Sequence, residues 1–280
     1  LHPVAHSFPT RRSSDLIIIS DPGIFTAARE MIPGIPIHIS TQANTTNYRA
    51  ARFWQSLGAR RINSARELSL NEIRYIADHC SLEIEAFAHG AMCISYSGRC
   101  LLSSFMAGRD SNRGLCCHPC RFKYAVVEEK RPGLYYPVLE DDRGSYIFNA
   151  KDLCMIEHIP EMIAAGITSL KIEGRMKGIH YLGSVVRVYR EAIDTYSKSP
   201  DSYSTKPEWV DELAKLSHRR YCTGFYLGNP EEVRPNDADC IYRRESRPYL
   251  FAGKILEEIF PGRVRVDVRN KIEIDRKSVV

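Results

Sequence analysis

A predicted β-strand runs directly into a cysteine-rich segment, and the sequence at that point reads Glu85-Ala86-Phe87-Ala88-His89-Gly90-Ala91-Met92-Cys93-Ile94-Ser95-Tyr96-Ser97-Gly98-Arg99-Cys100-Leu101-Leu102-Ser103. Residues 83–88 have the length and apolar content of a buried strand. Two cysteines follow, with serines and glycines between them. Because reactive side chains in parallel α/β proteins gather where strands end, we expect a functional site immediately after this strand.

Similar strands recur on both sides of this stretch at a spacing of about 25 residues and alternate with amphipathic segments, which is the pattern of βα units. The predicted strands are residues 16–20, 35–40, 61–63, 83–88 and 168–172. The predicted helices are residues 24–31, 48–57, 152–165, 179–197 and 207–216. One more helix is predicted to begin at Ser69, because Ser69 and Glu72 have the spacing of a capping box.

The number of strands bears on the architecture. Five are too few for a closed eight-stranded barrel, and three further βα units would take on the order of 90 residues. We predict an α/β fold with an incomplete TIM-like (β/α) barrel over residues 16–200, its N-terminal strands missing. The alternative is an open doubly wound sheet, but the sequence contains neither the GxGxxG nor the GxxxxGK phosphate loop common in such sheets.

The segments outside these units have a different character. Residues 128–144 are charged and contain proline and glycine, which favours a surface hairpin or loop insertion. We predict a helical or loop extension at residues 201–245 and the start of a small β-barrel domain at residues 246–274, where residues alternate as in strands. Residues 1–15 and 275–280 resemble translated sequencing-adapter peptides, so we expect non-native ends on an internal fragment.

Composition excludes several classes of protein. The 280 residues are 44% hydrophobic and 26% charged, which is typical of globular proteins and not of disordered or fibrous chains. Apolar runs such as residues 16–19 are far shorter than the roughly 20 residues of a membrane span. The excess of 39 basic over 34 acidic residues gives a net charge of +5, which is compatible with an RNA or phosphate partner.

Five of the nine cysteines lie within 28 residues, in the pattern Cys93-x6-Cys100-x15-Cys116-Cys117-x2-Cys120, and Cys154 follows after 33 intervening residues. The sequence shows no signal peptide, so we expect a reducing cytoplasm and metal-type cysteines rather than disulfides. Four thiolates can hold an iron–sulfur cluster or a tetrahedral zinc ion, and unligated thiols are the third alternative. No role is assigned to the isolated cysteines, Cys80, Cys222 and Cys240.

Several motifs make the sequence resemble one family, the collagenase-like peptidase U32 family. The longest is the stretch 85–103 quoted above, and the others are Ser20-Asp21-Pro22-Gly23, Gln42-Ala43-Asn44, Arg66-Glu67-Leu68-Ser69, Asn112-Arg113-Gly114-Leu115-Cys116-Cys117-His118-Pro119-Cys120-Arg121, Asn149-Ala150-Lys151-Asp152-Leu153-Cys154 and Ser169-Leu170-Lys171-Ile172-Glu173-Gly174-Arg175-Met176-Lys177. The resemblance covers residues 16–274.

The pattern is most similar to the tRNA hydroxylation branch of that family. The resemblance implies conversion of the wobble uridine of tRNA to 5-hydroxyuridine without molecular oxygen, dependent on prephenate and on a cysteine-bound iron–sulfur cluster, most simply 4Fe-4S. It implies tRNA, a small carboxylate co-substrate, the iron–sulfur assembly machinery and a U32 paralogue as partners, with no membrane involvement. The implied ligands are Cys93, Cys100, Cys116 and either Cys154 or Cys120. Cys117 stands where a non-cysteine is usual in the family, so Cys117 remains a third alternative for the fourth ligand.

Other polar residues are predicted at the carboxyl ends of the strands: His38, Gln42, Arg66, Glu67, His89, Lys171, Glu173 and Arg175. We predict His89 and Glu173 as proton-transfer groups, with Arg175 also in the catalytic set. Gln42, Arg66, Glu67, Lys171, Arg175 and Lys177 form the predicted substrate-binding set, in which cations hold the carboxylates of a prephenate-like molecule or RNA phosphates. The alternatives are a Lys171–Glu173 pair across a strand end and a core histidine at position 89.

Two segments combine cations with aromatic residues in the way single-stranded RNA contacts do, residues 121–124 and residues 219–221. Charged surface turns give the same pattern. Two other functions are kept: a collagenase-type protease, although no His-Glu-x-x-His or Gly-x-Ser-x-Gly motif occurs, and a non-catalytic scaffold that binds a cluster.

Overall fold

A computed structural model describes residues 15–93, 95–121, 125–127, 129–130, 135–137, 151–219, 221–228 and 251–270. Its strands are β1 (Ile17–Ile19), β2 (Ile37–Ile39), β3 (Arg61–Asn63), β4 (Glu83–Ala91), β5 (Ala125–Val127), β6 (Tyr135–Pro137), β7 (Asp152–Cys154), β8 (Ser169–Glu173), β9 (Tyr221–Cys222), β10 (Gly253–Phe260) and β11 (Arg263–Val268). Its α-helices are α1 (Pro22–Met31), α2 (Tyr48–Ser56), α3 (Leu70–His79), α4 (Leu102–Ala107), α5 (Ile159–Ala164), α6 (Ile179–Lys198) and α7 (Pro207–Ala214).

Five of these strands form a parallel sheet. Strands β1 to β4 lie side by side in sequence order, and β8 pairs in parallel with the other side of β4. Helices α1, α2 and α3 connect consecutive strands, so the predicted βα units are confirmed. Within the described residues the sheet is open, and closure into a barrel therefore stays a prediction.

Local sequence explains where several helices begin. Asp21 and Asn47 accept hydrogen bonds from the first turns of α1 and α2, as N-cap residues do. The capping box predicted at Ser69 and Glu72 is present at α3, with both of its reciprocal hydrogen bonds. Satisfying these otherwise unpaired N–H groups stabilises each helix by about 1 kcal/mol.

The two faces of the sheet differ in chemistry. On the helix side, buried apolar residues of β2, β3 and β4 pack against the helices in one core with Phe25, Ile73 and Val185. Each large aliphatic side chain buried there contributes roughly 1.5–3 kcal/mol. On the other face, strand alternation brings together polar residues: His38, Arg61, Asn63, Glu83 and Glu85.

The predicted helix over residues 152–165 is wrong in its first half. Asp152–Cys154 is instead the strand β7, followed by a 3-10 turn and then α5. The reason is that β4 continues to Ala91, past the end of β3, and leaves backbone groups that β7 pairs with in antiparallel register. Long-range backbone pairing therefore overrides the local helical pattern.

Two antiparallel hairpins lie outside this sheet. Strand β5, just before residues 128–144, the predicted hairpin or loop insertion, pairs with β6 inside it. Strand β10 pairs with β11 in the region predicted as the start of a β-domain. Residues 1–14 and 271–280, which include most of the predicted foreign ends, lie outside the described residues. Among the described helices, none combines the length and the apolar character that a bilayer crossing requires.

Candidate functional site

The cysteine segment folds over the carboxyl ends of the parallel strands β2 and β3. Gln42, in the turn after β2, accepts a hydrogen bond at Oε1 from the backbone N–H of Gly98 at 2.7 Å. Glu67, in the loop after β3, accepts one at Oε1 from the backbone N–H of Ser97, also at 2.7 Å. Two predicted substrate-binding residues therefore hold the cysteine segment in place.

Glu67 is the centre of this attachment. Its carboxylate also accepts hydrogen bonds from Ser97 Oγ at 2.8 Å and from Asn44 Nδ2 at 3.1 Å. Ser97 is fully buried, and its Oγ lies 3.3 Å from Thr41 Oγ1. A carboxylate with three such partners is well suited to fixing the loop between the first two cysteines, so the geometry gives Glu67 a positioning role.

Gly98 is required for the close approach of this loop to β2. It has a φ of +75°, and a Cβ at this position would lie 2.1 Å from the carbonyl oxygen of Gln42. Any larger residue would combine backbone strain with a backbone clash. The glycine that follows Ser97 is therefore explained by packing.

The segment also closes on itself between Cys100 and the next cysteines. Asn112 Nδ2 donates to the carbonyl oxygen of Cys100 at 2.8 Å, and Asn112 Oδ1 accepts from the backbone N–H of Cys100 at 3.3 Å. Ser111 Oγ donates to the same carbonyl at 3.1 Å. These bonds bring the chain leading to Cys116 back beside Cys100.

Neighbouring thiols oppose the ionisation of Cys93 and Cys120, and in both cases the neighbours include Cys100 and Cys116. Burial raises the pKa of Cys93, the charge of Arg66 opposes that rise, and Cys100 and Cys116 add to it. Burial, together with Cys93 and Cys116, raises the pKa of Cys120 to about 11. The four thiols of Cys93, Cys100, Cys116 and Cys120 are named the thiol group.

Hydrogen-bond donors face the sulfur atoms. Burial opposes ionisation of Cys100, but the Ser111 hydroxyl and backbone N–H groups outweigh it and lower its pKa. His118 donates its backbone N–H to Cys116 Sγ at 3.3 Å. Donors of this kind stabilise thiolates and the sulfur atoms of iron–sulfur clusters.

As the side chains stand, no three His, Cys, Asp or Glu groups within the described ranges are arranged to hold a metal ion. The surroundings nevertheless fit an anionic thiolate cluster. Arg66 acts electrostatically on Cys93, and its buried Nε has no hydrogen-bond partner among the described residues. The Arg66 guanidinium can therefore compensate part of the negative charge that four thiolates would bring to this position.

The remaining cysteines lie in other surroundings. Cys117 Sγ lies 3.5 Å from Ser103 Oγ, which also accepts from the Cys117 backbone N–H. Cys154, on β7, has its Sγ 4.0 Å from the hydroxyl of Tyr189, and burial raises its pKa to about 12. Cys154 shares a face of β7 with Asp152, whose carboxylate binds Arg121, the residue after Cys120. Cys240 lies outside the described residues.

His89 is enclosed by three tyrosine rings. It is fully buried, its Nδ1 lies 3.4 Å from the hydroxyl of Tyr189 and its Nε2 lies 3.4 Å from the hydroxyl of Tyr221. The third ring is that of Tyr181, and its centroid lies 5.9 Å from the centroid of the His89 ring. Burial lowers the pKa of His89 to about 3, so its ring is neutral at physiological pH. This arrangement favours the core alternative, and proton transfer by His89 stays a prediction.

Lys171 forms an ion pair on the polar face of the sheet, but its partner is Glu85 and not Glu173, the partner considered from the sequence. Its Nζ lies 3.1 Å from Glu85 Oε1, not beside Glu173. Glu85 also accepts from Arg61 at 3.3 Å and from Asn63 at 3.2 Å. Neither Glu85 nor Arg61 is among the predicted site residues, because the partners of a charged residue inside a short strand are known only from the fold.

The loop after β8 carries the other predicted polar residues. Glu173 Oε1 accepts the backbone N–H of Arg175 at 3.0 Å, and the Arg175 side chain is exposed. Lys177 Nζ donates to the carbonyl oxygen of Ser217 at 2.5 Å and lies 4.8 Å from the centre of the Tyr181 ring. Of these three residues, Arg175 is the one whose side chain is most open to a ligand.

The two segments predicted to contact RNA do not present a stacking surface where they are described. Tyr221 is 3% exposed and packs on His89, so base stacking there is excluded in this conformation. Arg121 binds Asp152, and the backbone N–H of Arg219 donates to the same carboxylate at 3.1 Å. Residues 122–124 and 220 are outside the described ranges or lack described side chains.

Comparison with known proteins gives a consistent result. The model of Peptidase family U32 matches residues 9–235. The chain is 45% identical over 214 residues to tRNA hydroxylation protein P1 of Bacillus subtilis, covering 76% of this chain and 50% of the relative. It is 38% identical to tRNA hydroxylation protein P of Escherichia coli, covering 80% and 57%.

A third relative is named for the alternative function, a collagenase. The chain is 36% identical to a protein named collagenase from Porphyromonas gingivalis, covering 76% of this chain and 52% of the relative. The chain therefore spans about half the length of the curated relatives it matches. With a family model matching most of its residues and these relatives alongside, the chain belongs to peptidase family U32.

Proposed function

We propose that this chain is part of a tRNA-modifying enzyme that hydroxylates the wobble uridine of tRNA to 5-hydroxyuridine in the cytoplasm. The observation that carries the proposal is the thiol group at the carboxyl edge of a parallel sheet, in a chain 45% identical to a tRNA hydroxylation protein. Ligand sites in sheets of this kind lie at that edge. We further propose that the sheet belongs to a TIM-like barrel.

The proposed cofactor is an iron–sulfur cluster of the 4Fe-4S type, with zinc as the alternative. Cys93, Cys100 and Cys116 would hold it, and the fourth ligand would be Cys120 or Cys154. When bound, such a cluster supplies one-electron redox chemistry. Glu67 and Ser97 would fix the loop that carries the first two thiols, and Arg66 would compensate the negative charge.

The proposed co-substrate is prephenate or a similar small dicarboxylate. Arg175 is the best-placed cation for it, because its guanidinium is exposed and can bind a carboxylate through two parallel hydrogen bonds. Lys177 borders the same loop, although it is bonded to Ser217 in this conformation. The iron–sulfur assembly machinery and a U32 paralogue remain the proposed protein partners.

The test is nucleoside mass spectrometry of total tRNA from a strain deleted for the gene. We expect 5-hydroxyuridine to be lost, restored by the wild-type gene, and not restored by a Cys93→Ser copy. A Cys80→Ser copy is the matched control, because Cys80 ends α3, away from the thiol group. Unchanged 5-hydroxyuridine in the deleted strain, with no paralogue present, would refute the proposal.

The fourth ligand has a separate test on purified protein. Cys117→Ser, Cys120→Ser and Cys154→Ser are compared for iron, sulfide and zinc content and for visible absorbance, with Cys80→Ser as the control. The ligand is the position whose substitution removes the metal. Zinc without sulfide in the wild-type protein would replace the cluster proposal with a zinc site.

Proteolysis is the second candidate, and the collagenase relative is the observation that favours it. Its test is cleavage of denatured collagen by the purified protein, with Cys93→Ser as the comparison. Cleavage that depends on Cys93 would favour the protease. A protein that binds tRNA while cysteine variants keep full modification in cells would indicate a non-catalytic scaffold.

A further inference from the structure

Helix α4 lies between Cys100 and Cys116 in the sequence, and large apolar side chains in and next to this helix are exposed to solvent. Phe105 is 90% exposed and Leu101 is 73% exposed. Leu101 is the N-cap residue immediately before α4, and its carbonyl oxygen accepts the backbone N–H of Phe105, so the two side chains lie one helical turn apart. Tyr96, in the turn before Arg99, is 71% exposed. Such exposure of large apolar groups in one short segment is typical of a contact surface rather than of random scatter.

The segment that carries these side chains is rich in arginine. Arg99 and Arg113 have exposed side chains, and Arg109, also exposed, donates from Nε to the carbonyl oxygen of Leu115. Asp110 is the only acidic residue in the sequence from Cys93 to Arg121. Its carboxylate accepts the backbone N–H of Asn112 at 2.9 Å, so this charge is engaged in a turn.

This surface borders the thiol group. Ser103, on the opposite side of α4 from solvent, is buried and contacts Cys117, the neighbour of Cys116. The guanidinium nitrogens of Arg175, from the loop after β8, lie within 4 Å of the position that a Cβ would take at Gly114. A ligand lying on α4 would therefore extend towards the carboxyl edge of the sheet, where the proposed chemistry takes place.

We propose that this face, formed by Tyr96, Arg99, Leu101, Phe105 and Arg113 and named the α4 surface, binds single-stranded RNA. Unpaired bases stack on the exposed aromatic rings and the arginines contact the flanking phosphates, the combination by which proteins bind single strands. The inference rests on the proposed function and adds where the tRNA loop lies. The exposed guanidinium groups of Arg99 and Arg113 favour RNA over an apolar protein partner, because burying these two charges against an apolar surface without a counter-charge would be costly.

The test measures binding of the full-length protein to an anticodon stem-loop RNA. We expect Phe105→Ala to weaken binding about 5- to 150-fold, the equivalent of one lost base-stacking contact. Arg99→Ala and Arg113→Ala should each reduce the salt dependence of binding by about one phosphate contact. Matched controls are Phe53→Ala and Arg52→Ala, which remove an exposed aromatic and an exposed arginine from α2.

A second measurement uses Phe105→Trp, because both native tryptophans are buried. We expect solvent-exposed emission without RNA, quenching by the stem-loop, and no quenching by a duplex of equal length. Blue-shifted emission in the absence of RNA would overturn the proposal, because another protein segment would then cover the surface. Equal affinities for Phe105→Ala and Phe53→Ala would also overturn it.

The outcome is independent of the modification assay. If the deleted strain keeps its 5-hydroxyuridine but Phe105→Ala loses RNA binding, the proposed function fails and the α4 surface stands. If 5-hydroxyuridine is lost in the deleted strain but Phe105→Ala binds RNA as tightly as wild type, the proposed function stands and the α4 surface fails.

Discussion

Replacing Glu85 by Gln should destabilise the protein substantially, although Glu85 lies away from the thiol group. Its side chain is 13% exposed and accepts hydrogen bonds from Lys171, Arg61, Asn63 and Ser169 at 3.1–3.3 Å. A glutamine keeps one oxygen, but the amide NH2 that replaces the other oxygen is turned towards two of these four donors. The substitution also leaves two cations, Lys171 and Arg61, on the polar face of the sheet without the negative charge of Glu85.

The size of the effect follows from these contacts. Removing one partner of a fully buried ion pair costs about 3–5 kcal/mol. The Lys171 side chain is 30% exposed, so part of its charge is solvated and the lower end applies, about 3 kcal/mol. For a protein of this size, that corresponds to a shift of about 1 M in the urea midpoint.

The effect should depend on pH in a definite direction. Burial raises the pKa of Glu85, but Lys171 and Arg61 outweigh burial and bring it below its usual value. Because the folded-state pKa is lowered, the stabilisation is complete above about pH 4.5 and is lost as the pH falls through the folded-state value. Protonated glutamate resembles glutamine, so the gap between wild type and variant should close in acid.

Urea unfolding followed by circular dichroism at pH 7 and below pH 4 measures both quantities. Glu30→Gln is the control, because Glu30 is exposed on α1 and belongs to no ion pair among the described residues. A change below about 0.5 kcal/mol at pH 7, the range of ordinary surface substitutions, would refute the reasoning. So would a gap that persists unchanged in acid.

Three further substitutions test the attachment of the cysteine segment and the His89 surroundings. Gly98→Ala should lower the melting temperature and the iron content together, since its Cβ would lie 2.1 Å from the Gln42 carbonyl oxygen; unchanged values would contradict the strained-loop explanation. Glu67→Gln should reduce iron retention during dialysis against a chelator with little change in helix content, because it loosens the Ser97 loop; equal iron loss from wild type would speak against this role. Tyr189→Phe should lower the unfolding free energy by about 1–3 kcal/mol, since its hydroxyl serves two buried backbone groups, and an unchanged value would exclude that contribution.

Much of the architecture could be predicted because its causes are local. Alternating apolar and amphipathic runs indicated the five parallel strands, and the Ser69–Glu72 pair indicated the start of α3. The error at Asp152–Cys154 arose where a distant strand end, not the local pattern, set the conformation. Local patterns also indicated that chemistry follows β4, since cysteines stand there in the sequence.

The sequence alone therefore determined the order of strands and helices, the family and the cysteines available as ligands, because these depend on residue type and spacing along the chain. Only the tertiary structure decided which groups meet. Glu85 meets Lys171 across 86 positions, Tyr221 lies buried against His89, and Glu67 holds the Ser97 loop. Such contacts depend on how the strands pair and where their loops converge, and a one-dimensional pattern carries no record of either.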